Sequence, residues 1–300
     1  MILELKNVEK SFGAKKVLEG VSLKAVGGHA FGLLGRNGAG KTTSIRILMD
    51  VFGADSGEVL LDGKTIDYKN VQIGYLPEER GLYPKKKIID QLVYFATLKG
   101  MSRDGAVKSC DYWLSRLGMT EYRNKRLDTL SKGNQQKIQL ITAVAHDPDI
   151  VILDEPFSGL DPVNAMLLKG VVKELIAQGK IVLFSSHQMS YIEEFCDHIA
   201  ILHKGRVAIT GDLYEIKRNY LRDKIVVRSE ERDAILSDFG ESAGLFEGAV
   251  LIKMEDASHK KDVMARLVAK YDIDEIKVYE PSLNDIFVEY AGDSGEGDGK

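Results

Sequence analysis

The chain begins with alternation: from Met1 to Lys6, apolar and polar positions take turns, as in a strand with one face buried. Three later stretches do not alternate. His29 to Leu34, Ile150 to Leu153 and Lys180 to Ser186 are dominated by consecutive apolar residues, which suits strands buried on both faces of a parallel sheet. Gly57 to Gly63 reads as hairpin-like. Elsewhere the period lengthens. Thr43 to Met49 predicts a helix with Ile45, Leu48 and Met49 inward, and Ile88 to Leu98 and Gly105 to Leu117 repeat apolar residues every three or four positions. The stretch from about 78 to 146 is therefore expected to be helical. Beyond 220 the pattern changes again. Asp223 to Arg228, Ala249 to Lys253 and Ile273 to Tyr279 read as strands, Ser258 to Lys270 as a helix and Ser282 to Tyr290 as a short helix. The expected organisation is a large α/β domain over 1–220, a small α/β domain with an antiparallel sheet over 221–291, and a tail over 292–300. That tail is mostly glycine and charge and is expected to be disordered.

Candidate chemistry gathers at the ends of the buried runs. Gly35 to Thr43 fits the phosphate-loop pattern G-x-x-x-x-G-K-S/T, between a strand and a helix. Glycines 35, 38 and 40 remove side-chain bulk, so Gly35, Asn37, Gly38, Ala39, Gly40 and Thr43 can turn backbone N–H groups toward phosphates. The helix that follows adds its N-terminal dipole. Lys41 supplies a point charge to the phosphates, and Thr42 a hydroxyl to Mg²⁺. Asp154 closes the second run at a strand's C-terminal end, where α/β sheets place their ligands, and is expected to hold Mg²⁺ directly or through water. Glu155 is placed to polarise an attacking water. The third run leads to His187, whose strand is expected to lie beside that of Asp154, within reach of a γ-phosphate.

With these segments stand Leu130 to Gln136 and Ser158 to Pro162, and the ordered set resembles the ATP-binding subunits of ABC transporters over residues 1 to about 215. The resemblance implies an ABC-type P-loop ATPase domain, a RecA-like core with an antiparallel β subdomain and a helical subdomain. It makes Gly35 to Thr43 the Walker A loop, Ile150 to Glu155 the Walker B strand with its catalytic glutamate, and His187 the switch histidine. Leu130 to Gln136 becomes the signature and Ser158 to Asp161 the D-loop. Phe12 falls where the family stacks an aromatic on adenine. In this family two domains meet head to tail, and Ser131 and Gly133, with Gln135 and Asp161 nearby, would close a site on ATP held by the opposite Walker A. One chain carries one Walker A and one signature, so the resemblance implies a dimer, with itself or with a second ATPase subunit.

Two departures narrow the resemblance. The signature usually reads Leu-Ser-Gly-Gly-Gln, and here Lys132 and Asn134 replace its first glycine and its glutamine. Glu78, after Ile73 to Pro77, stands where the family has the Q-loop glutamine; it keeps an oxygen for Mg²⁺ and adds negative charge. Both features are similar to the sodium-export (NatA-like) and related ABC-2 exporter ATPases, some of which carry a C-terminal extension that the residues past 220 resemble. The expected cofactors are thus ATP and Mg²⁺, and the expected partners separate transmembrane permease subunits that place the chain on the cytoplasmic face of the cell membrane. Leu82, Tyr83 and Pro84, with Leu92, Tyr94 and Phe95, are candidates for the groove that receives a helix of such a partner; Leu92 and Phe95 suit ordinary helix core equally well. His259, beside Lys260 and Lys261, suits a solvated position better than a ligand.

Composition changes this picture little. Among 300 residues, 44% are apolar, enough for a sizeable core, and the net charge of −4 lacks the basic bias of nucleic-acid binders. Cys110 and Cys196 are the only cysteines and form no CxxC, which suits a reducing compartment. No stretch approaches ~20 uninterrupted apolar residues, and the N-terminus lacks a basic signal-peptide start. The alternative is a soluble ATP-gated assembly or regulatory protein with the same engine and no membrane partner. A small-molecule kinase would leave Ser131 to Gln136 without a purpose.

Overall fold

A computed structural model describes residues 1–79, 81–220 and 223–291; the tail expected to be disordered, 292–300, lies outside the described residues. The first half runs β1 (Ile2–Phe12), β2 (Lys15–Val26), β3 (Ala30–Gly35), α1 (Lys41–Leu48), β4 (Ser56–Leu61), β5 (Lys64–Thr65), β6 (Ile73–Leu76), α2 (Ile88–Leu98), α3 (Arg103–Arg116) and α4 (Lys132–Val144). Then follow β7 (Ile150–Asp154), α5 (Pro162–Ala177), β8 (Ile181–Ser185), α6 (Met189–Phe195), β9 (His198–His203), β10 (Arg206–Asp212) and α7 (Leu213–Asn219). The last part holds β11 (Lys224–Arg228), α8 (Arg232–Phe239), β12 (Ala243–Phe246), β13 (Ala249–Lys253), α9 (Lys260–Lys270), β14 (Glu275–Val278) and α10 (Leu283–Ala291).

The chain divides into two compact units, Met1–Leu213 with Phe287–Ala291, and Tyr214–Ile286. Where the sequence pattern places a boundary at 220, the two units part after Leu213, the first residue of α7. Helical spacing runs through 213–219 without a break in composition, so the pattern offers no mark there.

Two sheets build the first unit. The larger has the order β10-β9-β3-β8-β7-β6. Its neighbours run parallel except at the β9–β10 hairpin. The apolar runs of β7 and β8 are buried at every position, as strands covered on both faces must be. β7 and β8 are adjacent, with Asp154 opposite Ser185. β3, β8 and β7 therefore bring Gly35, Ser185 and Asp154 to one edge. The smaller sheet is antiparallel, order β2-β1-β4-β5. Leu3, Leu5, Val8 and Leu23 from it join Phe31, Leu33, Ile45 and Leu48 in one core, so α1 lies between the two sheets. The hairpin read at 57–63 is β4 with the turn that leads to β5, and Asp62 and Gly63 adopt φ of 51° and 76° there, as a two-residue loop requires.

Helices α2, α3 and α4 pack together, and Ile88, Leu92, Cys110, Leu114, Ile138 and Ile141 on them are buried. α4 also lies against β6. A Cβ at Gly74 would come within 2.0 Å of the Ala143 carbonyl oxygen, so backbone touches backbone where they cross.

In the second unit β12-β13-β11-β14 form an antiparallel sheet. Ile225, Val227, Val250 and Ile252 meet Ile235 of α8 and Leu267 of α9 in its core. No described helix is long and apolar enough to cross a membrane.

Candidate nucleotide site

The segment from Gly35 to Lys41 forms the floor of the site. Lys41 opens α1, and its Nζ turns back to donate to the carbonyls of Gly35 at 2.6 Å and Arg36 at 3.4 Å. That folds the backbone between them into a loop around the ammonium. Gly40 sits at the helix N-cap with φ 112°, a backbone region that side chains rarely adopt. Its side chain, were there one, would strike Leu18 Cδ2 at 2.6 Å. Asn37, Gly38 and Thr42 are exposed and Thr43 is half-buried, so the loop's outer face is open to a ligand. From behind, Gly205 N donates to Ala39 O at 3.1 Å and Glu19 N donates to Gly205 O at 2.8 Å. The β9–β10 turn and the start of β2 thus brace the loop.

Three carboxylates face this ammonium. Burial lowers the Lys41 pKa, and the negative charges of Asp154, Glu155 and Glu78 oppose that shift. Burial likewise raises the Asp154 carboxyl above the ordinary range, with Glu78 and Glu155 adding to it and Lys41 opposing. Tyr75 on β6 donates its hydroxyl to Asp154 Oδ2 at 3.4 Å, and burial pushes that phenol up to about 12. Three negative groups around one positive group leave an excess that a divalent cation beside a polyphosphate would offset. Together with Thr42, exposed and adjacent to Lys41 in the chain, the residues present fit Mg²⁺ in their oxygen chemistry.

Glu155 is 6% exposed and adopts φ 49° just past β7. Its backbone is fixed by a bond from Glu155 N to Ser185 O at 2.8 Å. The carboxylate is gripped at both oxygens. Oε1 accepts from His187 N at 2.7 Å and lies 2.7 Å from His187 Nδ1, and Oε2 accepts from Ser186 Oγ at 3.0 Å. Ser186 Oγ in turn accepts from Gln188 N at 3.1 Å. Ser186 belongs to this constellation; the sequence marks it only as the end of the run that leads to His187, with no role of its own.

The remaining candidates form a second group. Ser131 is the N-cap of α4 and its hydroxyl accepts from Asn134 N at 3.3 Å, a common way to satisfy a free helix donor. Asp161 caps α5 through Asn164 N at 3.0 Å, and that backbone N–H holds its carboxyl low. Gly133 lies against Asn164, whose Nδ2 is 3.2 Å from where a Cβ would stand. Gln135 turns its amide to the Leu127 and Leu130 carbonyls at 3.2 and 3.0 Å, stapling the turn before the helix. The contacts join the candidates in two sets: Lys41, Glu78, Asp154, Glu155 and His187 in one, and Gly133 with Asp161, through Asn164, in the other, on the helix that Ser131 caps. Phe12 stands at the end of β1, 50% exposed, with its edge on Phe52 at 5.5 Å. Among the groove candidates Tyr83 and Tyr94 are exposed, with Phe95 stacked on Tyr83 at 6.2 Å, whereas Leu92 is core at 1% exposure.

Known proteins resemble this chain in sequence and in fold. The family described as ABC transporter matches residues 18–158, and the family described as ATP-binding protein DrrA1-3-like, C-terminal domain, matches residues 211–291. An uncharacterized ABC transporter ATP-binding protein of Bacillus subtilis, YhaQ, is 44% identical over 294 residues, covering 97% of this chain and 99% of its own. The ABC transporter ATP-binding protein NatA of the same organism is 35% identical over 212 residues, 68% of this chain and 86% of its own. A solved ATP-binding subunit of an ABC transporter superposes with a TM-score of 0.68 at 30% identity, over 73% of this chain and 93% of that one. A phosphate cradle at one sheet edge, with a second cluster on the N-termini of neighbouring helices, is thus accompanied by likeness along nearly the whole sequence, and the chain belongs to the ATP-binding proteins of ABC transporters, the ATPases that bind and hydrolyse ATP.

Proposed function

We propose that this chain is the ATP-hydrolysing subunit of an exporter, working as a head-to-tail pair that drives separate membrane subunits. The observation that carries the proposal is the separation of the candidates into two groups. Asp154 and Glu155, the latter gripped by Ser186 and His187, stand at the strand ends beside the Lys41 loop, while Ser131 caps α4 and Gly133 packs against Asn164, which Asp161 caps on α5. Each chain thus offers a complete cradle and, apart from it, a set of capping residues that a second chain can use. The exporter assignment is supported by the Glu78 and Lys132 features shared with NatA-like ATPases and by the DrrA-like second unit.

In this reading Phe12 stacks adenine, and the N–H groups of Gly35 to Thr43 with Lys41 bind the phosphates. Thr42, Asp154 and Glu78 hold Mg²⁺, which when bound neutralises charge developing on the phosphates. Glu155 orients water and takes its proton, a role generally worth about 10²–10⁴ in rate. Ser186 and His187 fix where that carboxylate points, and His187 holds the γ-phosphate. Ser131 and Gly133 close over the ATP of the opposite chain. Membrane subunits dock beside residues 77–95, where Tyr83 and Tyr94 are exposed.

Glu155→Gln keeps the shape of the side chain and removes the base. It is expected to lower turnover at least 100-fold and to accumulate an ATP-bound dimer, seen by size-exclusion chromatography with light scattering. Parent-like turnover would refute the assignment of Glu155. Tagged Glu155→Gln chain drawn from detergent-solubilised native membranes with ATP and Mg²⁺ is expected to bring a multi-span protein with it. Recovery of soluble partners alone would move the function to the ATP-gated assembly class.

A further inference from the structure

α4 carries two buried glutamines one turn apart, and each holds a loop of the nucleotide site. Gln136, 8% exposed, donates from Nε2 to Pro156 O at 3.3 Å, the carbonyl of the residue after Glu155. Gln139, 4% exposed, donates from the same amide to Pro77 O at 3.3 Å and Glu79 O at 3.0 Å. The two accepting carbonyls bracket Glu78. Glu78 has left the sheet by this point, since β6 ends at Leu76. The paired bonds from Gln139 hold the backbone on either side of it. Neither glutamine is needed for core volume alone. A buried amide in a helix interior carries a desolvation cost that an apolar residue of similar size does not, and these amides are retained with their donors bonded.

We infer that Gln139 is the positioning residue for Glu78: by clamping the carbonyls of Pro77 and Glu79 to α4, it aims the Glu78 carboxylate at Lys41 and Asp154. This rests on the proposed role of Glu78 toward Mg²⁺. Because the same helix begins at Ser131, a displacement of α4 caused by nucleotide on the opposite chain moves the aim of Glu78 through Gln139 and the loop after Glu155 through Gln136. Gln136 and Gln139, 5 and 8 positions after Ser131 on one helix, are thereby tied to the loops that carry the two carboxylates of their own site.

The test uses the full-length chain with Gln139→Met, which fills a similar volume and has no donor, beside Glu78→Gln and the double variant. Two readouts are taken. The first is hydrogen exchange of nucleotide-free protein over residues 74–87. The second is Mn²⁺ affinity of the ATP-loaded chain, followed by electron paramagnetic resonance. Gln139→Met is expected to speed exchange about tenfold in that segment while leaving β7 and β8 protected. It is also expected to weaken Mn²⁺ about tenfold, as Glu78→Gln does, with the double variant no weaker than the weaker single variant. Gln139→Leu, likewise without a donor, is expected to repeat both effects; it serves where the methionine variant does not fold. Unchanged exchange or Mn²⁺ affinity in both Gln139 variants, while Glu78→Gln weakens Mn²⁺, overturns the inference alone. So do losses that multiply in the double variant, because residues acting through one another do not add. Unaltered Mn²⁺ affinity in Glu78→Gln overturns the metal role of Glu78, and the inference with it.

Discussion

His146 shows how a side chain outside every motif governs stability. It is 7% exposed, its Nδ1 has no partner, and its Nε2 sits 3.3 Å from Ile73 O. Burial pushes its pKa from 6.5 down to about 4. The folded chain thus keeps this imidazole neutral over a range in which the unfolded chain takes up a proton. Its contribution is complete near pH 7 and is lost as pH falls below 6.5, with no further loss under about 4. By pH 5 the loss amounts to roughly 2 kcal/mol. Urea unfolding at pH 7 and pH 5 is expected to show that much less pH dependence in His146→Leu than in the parent. Among the site residues, those legible in the sequence are the ones whose task is local. A glycine-rich turn followed by Lys41, or two carboxylates after an apolar run, announce themselves within ten residues. Ser186, Tyr75, Gln136 and Gln139 act across gaps of tens of residues, and no spacing rule on one chain reveals such partners.

Among elements, α4 sets the geometry. Its contact with β6 leaves no room for a side chain at Gly74, where a Cβ would lie 2.0 Å from Ala143 O and 2.9 Å from Pro148 Cγ. Neither the carbonyl nor the strand can give way without moving the helix, so Gly74→Ala is expected to cost about 3 kcal/mol or more. Chemical denaturation would measure this, and a loss under about 1 kcal/mol would show that α4 can slide on β6. Strands β3, β7 and β8 and helices α2 and α3 follow from apolar runs and periods. Helix α8 and strand β12 do not. α8 buries only Ile235, and β12 has no fully buried position, so the pattern that betrays an element is faint in both. Helix α5 is hidden differently: its Asp161-Pro162 start reads as a motif and masks the cap and first helical position that it also forms.

For the whole molecule, the separation of cradle and caps makes dimerisation the step to test. Ser131→Arg places a bulky cation where the opposite nucleotide would be closed in. It is expected to leave single-site ATP binding within about threefold while lowering turnover by more than 100-fold, and to abolish the ATP-dependent dimer of Glu155→Gln. Equilibrium nucleotide binding and light scattering on the double variant decide this, and a persisting dimer would count against the head-to-tail arrangement. One further residue connects distant parts of the fold. Gly205, in the turn after β9, has φ 79° and stands where a Cβ would lie 2.5 Å from Val17 O, while its N–H holds Ala39. It works as a keystone: the loop, the β1–β2 hairpin and the β9–β10 hairpin lean on a single point that has no room for even a methyl group. In a saturation screen scored by ATP binding, Gly205→Ala should fall among the phosphate-loop variants, although it lies more than 160 residues along the chain from that loop.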